Sequence, residues 1–138
     1  MGGYDGYEPI SSIEKIDLAQ DGAQFATLPR ENQLLNPLKN SASVLYQDKI
    51  IIVGGWDNKD TSEAVYCYDP KTETCSFLCR LPGRVEGHSL ALFGDILFII
   101  GGFDSYGVSD RIIKLNLKTT AATFLADRLL IKRENHTS

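Results

Sequence analysis

The stretch IIVGGWD, residues 51–57, joins a short apolar run to two glycines, an aromatic ring and a carboxylate. Ile and Val are β-branched residues that favour strands. Two glycines after such a run allow a sharp change of direction and the close approach of another chain segment. The stretch therefore predicts a buried strand that ends at a tight junction.

Two other stretches repeat this pattern, GGYD at residues 2–5 and GGFD at residues 101–104. Two further markers follow each glycine pair at similar distances. One is an apolar or aromatic residue followed by Asp or Asn, at Ile16, Tyr68 and Leu115, and the other is a phenylalanine, at Phe25, Phe77 and Phe124. Three markers that share one period of about 50 residues indicate an internal repeat.

Each period predicts four short β-strands. The polar loop after the glycines leads to a strand such as AVYCY, and the turn DPKTET leads to a strand that holds the phenylalanine. A strand such as HSLALF and a tight turn then precede the next apolar strand. The runs at residues 50–53 and 96–100 are apolar at every position, which is typical of a strand packed on both faces. Short helical turns are expected at most within ENQLLNPLKN and LADRLLIKREN.

These residues resemble the kelch repeat, through IIVGG and YCYDPKTET in one period and ILFIIGG and IIKLNLKT in the next. The resemblance implies an all-β fold, a partial kelch-type β-propeller built from four-stranded antiparallel blades. The predicted units are a partial blade with strands three and four at residues 1–35, two kelch repeats at 36–83 and 84–130, and the start of a further repeat at 131–138.

The sequence departs from the kelch pattern at the usual tryptophan of the fourth strand. That position holds the small residues Ala23, Cys75 and Ala122, and a phenylalanine stands two residues later in every period. Because positions two apart in a strand lie on one face, the phenylalanines are expected to fill the space between blades.

The glycine pairs are interpreted as structural, and the Asp that follows each ring is expected to accept backbone N–H groups in a local turn. The structural glycines are Gly2, Gly3, Gly54, Gly55, Gly101 and Gly102. The rings at Tyr4, Trp56 and Phe103 have two open interpretations. They pack against the adjacent blade, or they form exposed anchors at one mouth of the propeller.

Kelch adaptors often contact peptides through residues just after the glycine pair and just before the first strand. The resemblance therefore implies partner contacts at Trp56, Asn58, Phe103 and Ser105, and at Arg84, Glu86 and Arg133. Its implied function is protein–protein interaction, including substrate recognition in a cullin-based ubiquitin ligase adaptor. Actin-associated or other scaffolding and a sugar-modifying propeller enzyme, of epimerase or oxidase type, are the alternatives.

Composition excludes several classes of function. The net charge of −4 and the pI of about 5.1 argue against nucleic-acid binding, which needs a basic footprint. No apolar run approaches the roughly 20 residues that span a bilayer, and the N-terminus does not resemble a secretory signal. The three cysteines then suggest reduced thiols in the cytosol or nucleus, and a cytoplasmic location is predicted.

The sequence contains no pattern that indicates catalysis. His88 and His136 occupy similar repeat positions, and Cys67, Cys75 and Cys79 lack the spacing of a zinc site. No phosphate-binding loop or nucleophile elbow is present. We therefore expect no metal, no cofactor and no enzymatic activity.

The chain is short for a closed propeller, which has four to eight blades and needs roughly 200 to 400 residues. Fewer than three repeats are present in 138 residues. Unpaired blade edges and uncovered apolar faces favour association. The expected explanations are a fragment or alternative product of a longer kelch protein, which is favoured, a six-blade ring closed by two copies through their unfinished blade edges, or an open arc bound to other chains.

Overall fold

The computed structural model describes residues 1–19 and 21–138 and shows an all-β chain. Gln20, inside the predicted unit 1–35, lies outside the described residues. The first strands are β1 (Glu14–Lys15), β2 (Ala26–Thr27), β3 (Ala42–Tyr46), β4 (Lys49–Val53), β5 (Ala64–Asp69) and β6 (Thr74–Arg80). The later strands are β7 (Ser89–Phe93), β8 (Ile96–Ile100), β9 (Phe103–Asp104), β10 (Gly107–Val108), β11 (Ile112–Asn116) and β12 (Ala122–Phe124).

Two four-stranded antiparallel sheets form the body of the structure, which confirms the predicted blades. Blade 2 has the strand order β3-β4-β5-β6, and blade 3 has the order β7-β8-β11-β12. The two-residue turns at 47–48 and 94–95 join the first two strands of each blade. The sheets lie at residues 42–80 and 89–124, inside the predicted limits of 36–83 and 84–130.

Within the described residues, the first blade contains only its two outer strands, β1 and β2. β1 and β2 pair antiparallel, with Glu14 opposite Thr27 and Lys15 opposite Ala26. They correspond to strands three and four of the repeat. The one helical segment within residues 1–19 and 21–138 is the 3-10 turn Arg30–Asn32, which overlaps the start of ENQLLNPLKN, one of the two stretches where helical turns were expected.

The hydrophobic core consists of two clusters, one on each face of blade 2. Ile51 and Val53 of β4 point into the cluster shared with blade 3, whereas Ile52 points into the cluster shared with the segment before blade 2. The apolar strand is therefore covered on both faces, as its sequence predicts. The sheets come together at their inner strands, since β3 contacts β7. This is the radial arrangement of successive propeller blades.

The expectation that the phenylalanines fill the space between blades was wrong in part, because Phe124 borders this space without joining its packed core. Phe77 and Phe124 are 51% and 40% exposed and lie outside both core clusters, whereas the small residues Cys75 and Ala122 pack against those clusters. Phe77 and Phe124 belong to β6 and β12, the outermost strands, where adjacent blades diverge. Phe77 makes an edge-on contact with the ring of Tyr66, at 6.2 Å between centroids.

The three cysteines are free thiols placed in or beside the core. Burial raises the pKa of the Cys67, Cys75 and Cys79 thiols, so their reactive thiolate forms are depleted near neutral pH. Cys79 is buried in the cluster between blades 2 and 3. We expect alkylation by iodoacetamide at pH 7.5 to be roughly tenfold or more slower in the native chain than in urea. Mass spectrometry measures both rates, and equal rates would contradict the packing described.

No helix in the described part of the chain has the length and hydropathy needed to cross a bilayer.

Candidate functional site

The glycine pair of blade 2 lies where three chain segments meet. Gly54 has a φ of +57°, and a Cβ added there would lie 2.2 Å from the carbonyl oxygen of Val85. Gly55 has a φ of +99°, and its Cβ would lie 2.8 Å from the carbonyl oxygen of Lys39. The N–H of Gly55 donates to the Val85 carbonyl at 2.9 Å. The pair thus joins the end of β4 to the linkers that precede β3 and β7.

The other two pairs make equivalent junctions. The N–H of Gly3 donates to Leu38 at 2.7 Å, and that of Gly102 donates to Arg133 at 2.8 Å. A Cβ at Gly2, Gly101 or Gly102 would lie within 2.7 Å of a backbone oxygen, whereas nothing lies within 4 Å of Gly3. Gly3 therefore needs glycine for its backbone alone, because its φ of +121° is one that L side chains rarely adopt.

These junctions create one surface, which we call the loop face. It consists of the loops after the glycine pairs, at residues 3–9, 56–63 and 103–111, and the linkers at 37–41, 82–88 and 131–136. The sequence-predicted partner residues all belong to it. They are Trp56, Asn58, Phe103, Ser105, Arg84, Glu86 and Arg133.

Two of the rings are held by paired backbone hydrogen bonds. Trp56 exchanges two with Lys39, at 2.8 and 3.1 Å, and Phe103 exchanges two with Glu86, at 2.8 and 3.0 Å. Trp56 is half-buried, and Phe103 and Tyr4 are exposed. The loops that carry Trp56 and Phe103 are therefore anchored to the linkers, and their side chains still contact solvent.

The ammonium group of Lys39 lies close to two rings of the loop face. Its Nζ is 4.4 Å from the ring centroid of Trp56 and 5.0 Å from that of Tyr4. Both distances are within the range of cation–π attraction. Lys39 therefore links the aromatic residues of blades 1 and 2.

The Asp after each ring closes the loop as its sequence predicts. Asp5 accepts from the N–H groups of Tyr7 and Glu8 at 2.8 and 2.9 Å. Asp57 accepts from Lys59 and Asp60 at 3.0 Å each, and Asp104 accepts from Tyr106 at 2.8 Å. The N–H groups of Glu8 and Tyr7 hold the pKa of the Asp5 carboxyl below its usual value.

Asn58 lies within one of these turns, with an exposed side chain and a φ of +80°. Ser105 occupies the equivalent place in blade 3 and is also exposed. Both side chains are accessible at the tips of their loops.

Arg84 and Glu86 are engaged within the chain. Arg84 forms an ion pair with Asp60, although both side chains remain accessible. The Glu86 carboxylate accepts from the Asn40 side chain at 2.9 Å and from the Thr61 hydroxyl at 3.2 Å. Glu86 therefore connects two linkers to a loop, and a partner must break these bonds to reach its carboxylate.

Arg133 contributes mainly through its backbone, which bonds Gly102 and Ser109. Its side chain is exposed and donates to the carbonyl of Ile131 at 3.3 Å.

Three accessible side chains of the loop face were missed by the sequence analysis. Tyr7 and Tyr106 lie three residues after the ring of their repeats and are each 92% exposed. Arg111 lies before β11, with its guanidinium carbon 5.1 Å from the ring centroid of Phe124. The shared offset of the two tyrosines was visible in the repeat, but the position of Arg111 depends on folding.

The two histidines lie beside the glycine junctions, as expected for a repeat role. His88 is 5% exposed, and neither ring nitrogen has a partner within the described residues. Burial, with a smaller contribution from His136, lowers the pKa of His88 to about 4. His136 is hydrogen-bonded to Ser89 at 2.9 Å, and burial together with Arg133 lowers its pKa. Both imidazoles are therefore neutral at pH 7.

The Kelch motif family matches residues 37–78, which extend from the linker before β3 into β6. Residues 37–78 therefore carry a Kelch motif. A comparison with curated proteins finds no match to the chain. Its fold is similar to the solved structure titled "Structure of YjhT", with a TM-score of 0.75 and 13% sequence identity. That likeness covers 96% of this chain and 52% of YjhT, so the chain spans about half of YjhT's length.

Proposed function

We propose that the loop face of this kelch array binds a protein partner and has no catalytic role. The observation that carries the proposal is the placement of Trp56 and Phe103, which are accessible yet held by paired backbone bonds. Aromatic residues dominate the energetics of protein interfaces. A loop that is already ordered loses less conformational entropy on binding.

Narrower forms of the proposal rest on the kelch resemblance. These are a cytoplasmic location and substrate recognition within a cullin-based ubiquitin ligase adaptor, or a scaffolding role such as actin association. A sugar-modifying enzyme is the alternative of a different class, and turnover of a sugar by the chain without a partner protein would favour it.

Substitution of Trp56 or Phe103 by Ala tests the proposal. We expect each variant to bind a partner at least about tenfold more weakly, because truncation of a hot-spot residue costs about 2 kcal/mol or more. Partners are first captured from cell extract with the wild-type chain, and their affinities are then measured with purified proteins. The thermal midpoint of each variant shows whether folding is retained.

Phe93→Ala provides the matched control. Phe93 is 82% exposed but ends β7 at the turn to β8, away from the loop face. It should leave affinity unchanged. The proposal fails if the Trp56 and Phe103 variants bind like the wild type, or if both unfold because the rings are part of the core.

Self-association is a second candidate, favoured by the exposed linker after blade 3. The linkers at 30–40 and 125–135 are equivalent, because Leu34 approaches Gly2 as Leu129 approaches Gly101.

The first linker packs on blade 2, where Asn36 donates to the Tyr66 hydroxyl at 2.8 Å. In the second linker Leu130 and Ile131 are exposed. We propose that another copy of the chain covers them.

Ile131→Asp should then lower the apparent mass of the chain at high concentration, because a charge in an apolar contact is costly. Size-exclusion chromatography with light scattering measures this, with Phe93→Asp as the control. A wild-type chain that stays monomeric at every concentration would exclude self-association.

A further inference from the structure

Tyr106 is an accessible phenol on a fixed backbone. It lies in the turn between β9 and β10, and its N–H donates to the Asp104 carboxylate at 2.8 Å. Its side chain is 92% exposed. Its hydroxyl makes no hydrogen bond to any residue that the structure describes. The side chain is therefore free to reorient and is accessible to a modifying enzyme.

A cleft of about 440 Å³ lies beside Tyr106, between blades 2 and 3. Two arginines, Arg84 and Arg111, line it together with Tyr106. Arg84 is paired with Asp60. Arg111 lies over the Phe124 ring and has no acidic partner in the described part of the chain.

Two carboxylates also line this cleft. Glu63 pairs with Arg80 at 2.7 Å. Asp104 uses one carboxylate oxygen to accept the N–H of Tyr106. Arg111 is therefore the cation of the cleft that has no acidic partner among the described residues. Asp104 has no cationic partner there either, so the cleft holds one unpaired charge of each sign.

We propose that Tyr106 is a phosphorylation site and that its phosphate pairs with Arg111, with Arg84 as the second contact. A tyrosine kinase would supply the chemistry with ATP as the donor. The phenolic oxygen forms a bond to the γ-phosphorus, the bond from that phosphorus to the bridging oxygen breaks, ADP leaves, and the phenolic proton is released.

The phosphate ester carries a charge of about −1.5 to −2 and three acceptor oxygens at pH 7. Arginine binds such groups through two parallel hydrogen bonds. Pairing with Arg111 holds the phosphotyrosine over the cleft and orders its side chain. Phosphorylation thus closes the cleft and adds negative charge to the loop face, a regulatory step that goes beyond partner binding.

Tyr7 is a matched control within the same chain. It has the same offset from its glycine pair and the same 92% exposure. A cleft whose lining begins at the residue after Tyr7 is formed by residues 8–12 with Gln33 and Pro37. None of these residues is Arg or Lys. A phosphate on Tyr7 therefore has no comparable arginine-lined cleft.

The pairing is tested with chains that carry phosphotyrosine at position 106 or at position 7, incorporated during synthesis. ³¹P NMR titration measures the second pKa of each phosphate, which is about 6 without a partner. We expect the value at position 106 to be about one unit lower than at position 7. Arg111→Gln should restore it, while Arg30→Gln, at an exposed arginine outside this cleft, should not. Equal values at both positions, or no effect of Arg111→Gln, would overturn the proposal.

The modification itself is tested by treating the folded chain with a broad-specificity tyrosine kinase and ATP. Mass spectrometry should locate phosphate on Tyr106, with Tyr106→Phe losing that signal. A chain that remains unmodified at Tyr106 would overturn the assignment.

Discussion

Gly54→Ala should destabilise the chain by about 2 to 5 kcal/mol, the combined cost of a left-handed residue and an overpacked contact. The added methyl group would lie 2.2 Å from the Val85 carbonyl oxygen, and that atom also accepts the N–H of Gly55. This clash can be relieved only if the linker before β7 moves away from blade 2. Urea unfolding followed by tryptophan fluorescence measures the change through Trp56.

Gly94→Ala separates backbone strain from the close approach. Gly94 has a φ of +59°, nearly that of Gly54, but nothing lies within 4 Å of its Cβ position. Its substitution should cost only about 1 to 2 kcal/mol, the strain of a left-handed L-residue. Equal losses for the two variants would show that the junction between the blades does not need a glycine.

Acid should destabilise the chain already at pH values well above those at which carboxylates titrate, because His88 is buried as a neutral ring. Its folded pKa of about 4 lies below the ordinary value of 6.5, so the unfolded state binds more protons between these two pH values. Its contribution is complete above pH 6.5 and is lost as pH falls. The expected loss from His88 at pH 5 is about 2 kcal/mol. Urea unfolding at pH 7.5, 6 and 5 measures it.

His88→Gln is the test variant, because glutamine does not titrate. The measured quantity is the change in the free energy of unfolding between pH 7.5 and 5. This change should be much smaller in His88→Gln than in the wild type. His136 has a lowered pKa and adds a smaller part of the same dependence. Asp5, Asp69, Asp95 and Asp110 have pKa values below the ordinary 3.8 and so lose their contributions mainly below pH 4. An unchanged slope in His88→Gln would contradict the burial of a neutral ring.

The sequence predicted the features that depend on local patterns. Ile51, Ile52 and Val53 alternate between the two core clusters because successive side chains of a strand point to opposite faces. The carboxylates of Asp57 and Asp104 close their loops because the bonds are made within two or three residues. Both outcomes follow from spacing alone.

The features that depend on distant segments were beyond the sequence. Phe77 carries a repeat marker, but its exposure depends on the distance between two blades at their outer strands. Glu86 was predicted to contact a partner, and its bonds to Asn40 and Thr61 require a linker and a loop from other parts of the chain. Lys39 reaches Tyr4 and Trp56 only because two blades lie side by side.

The most direct test of the account measures contacts between blades 2 and 3 in solution. Methyl NOE spectroscopy of an Ile/Leu/Val-labelled chain should show contacts from Val53 and Val65 to Leu97 and Ile99, residues that belong to one buried cluster. A spectrum with contacts within each sheet but none between these two pairs of residues would contradict the stacking of sister blades.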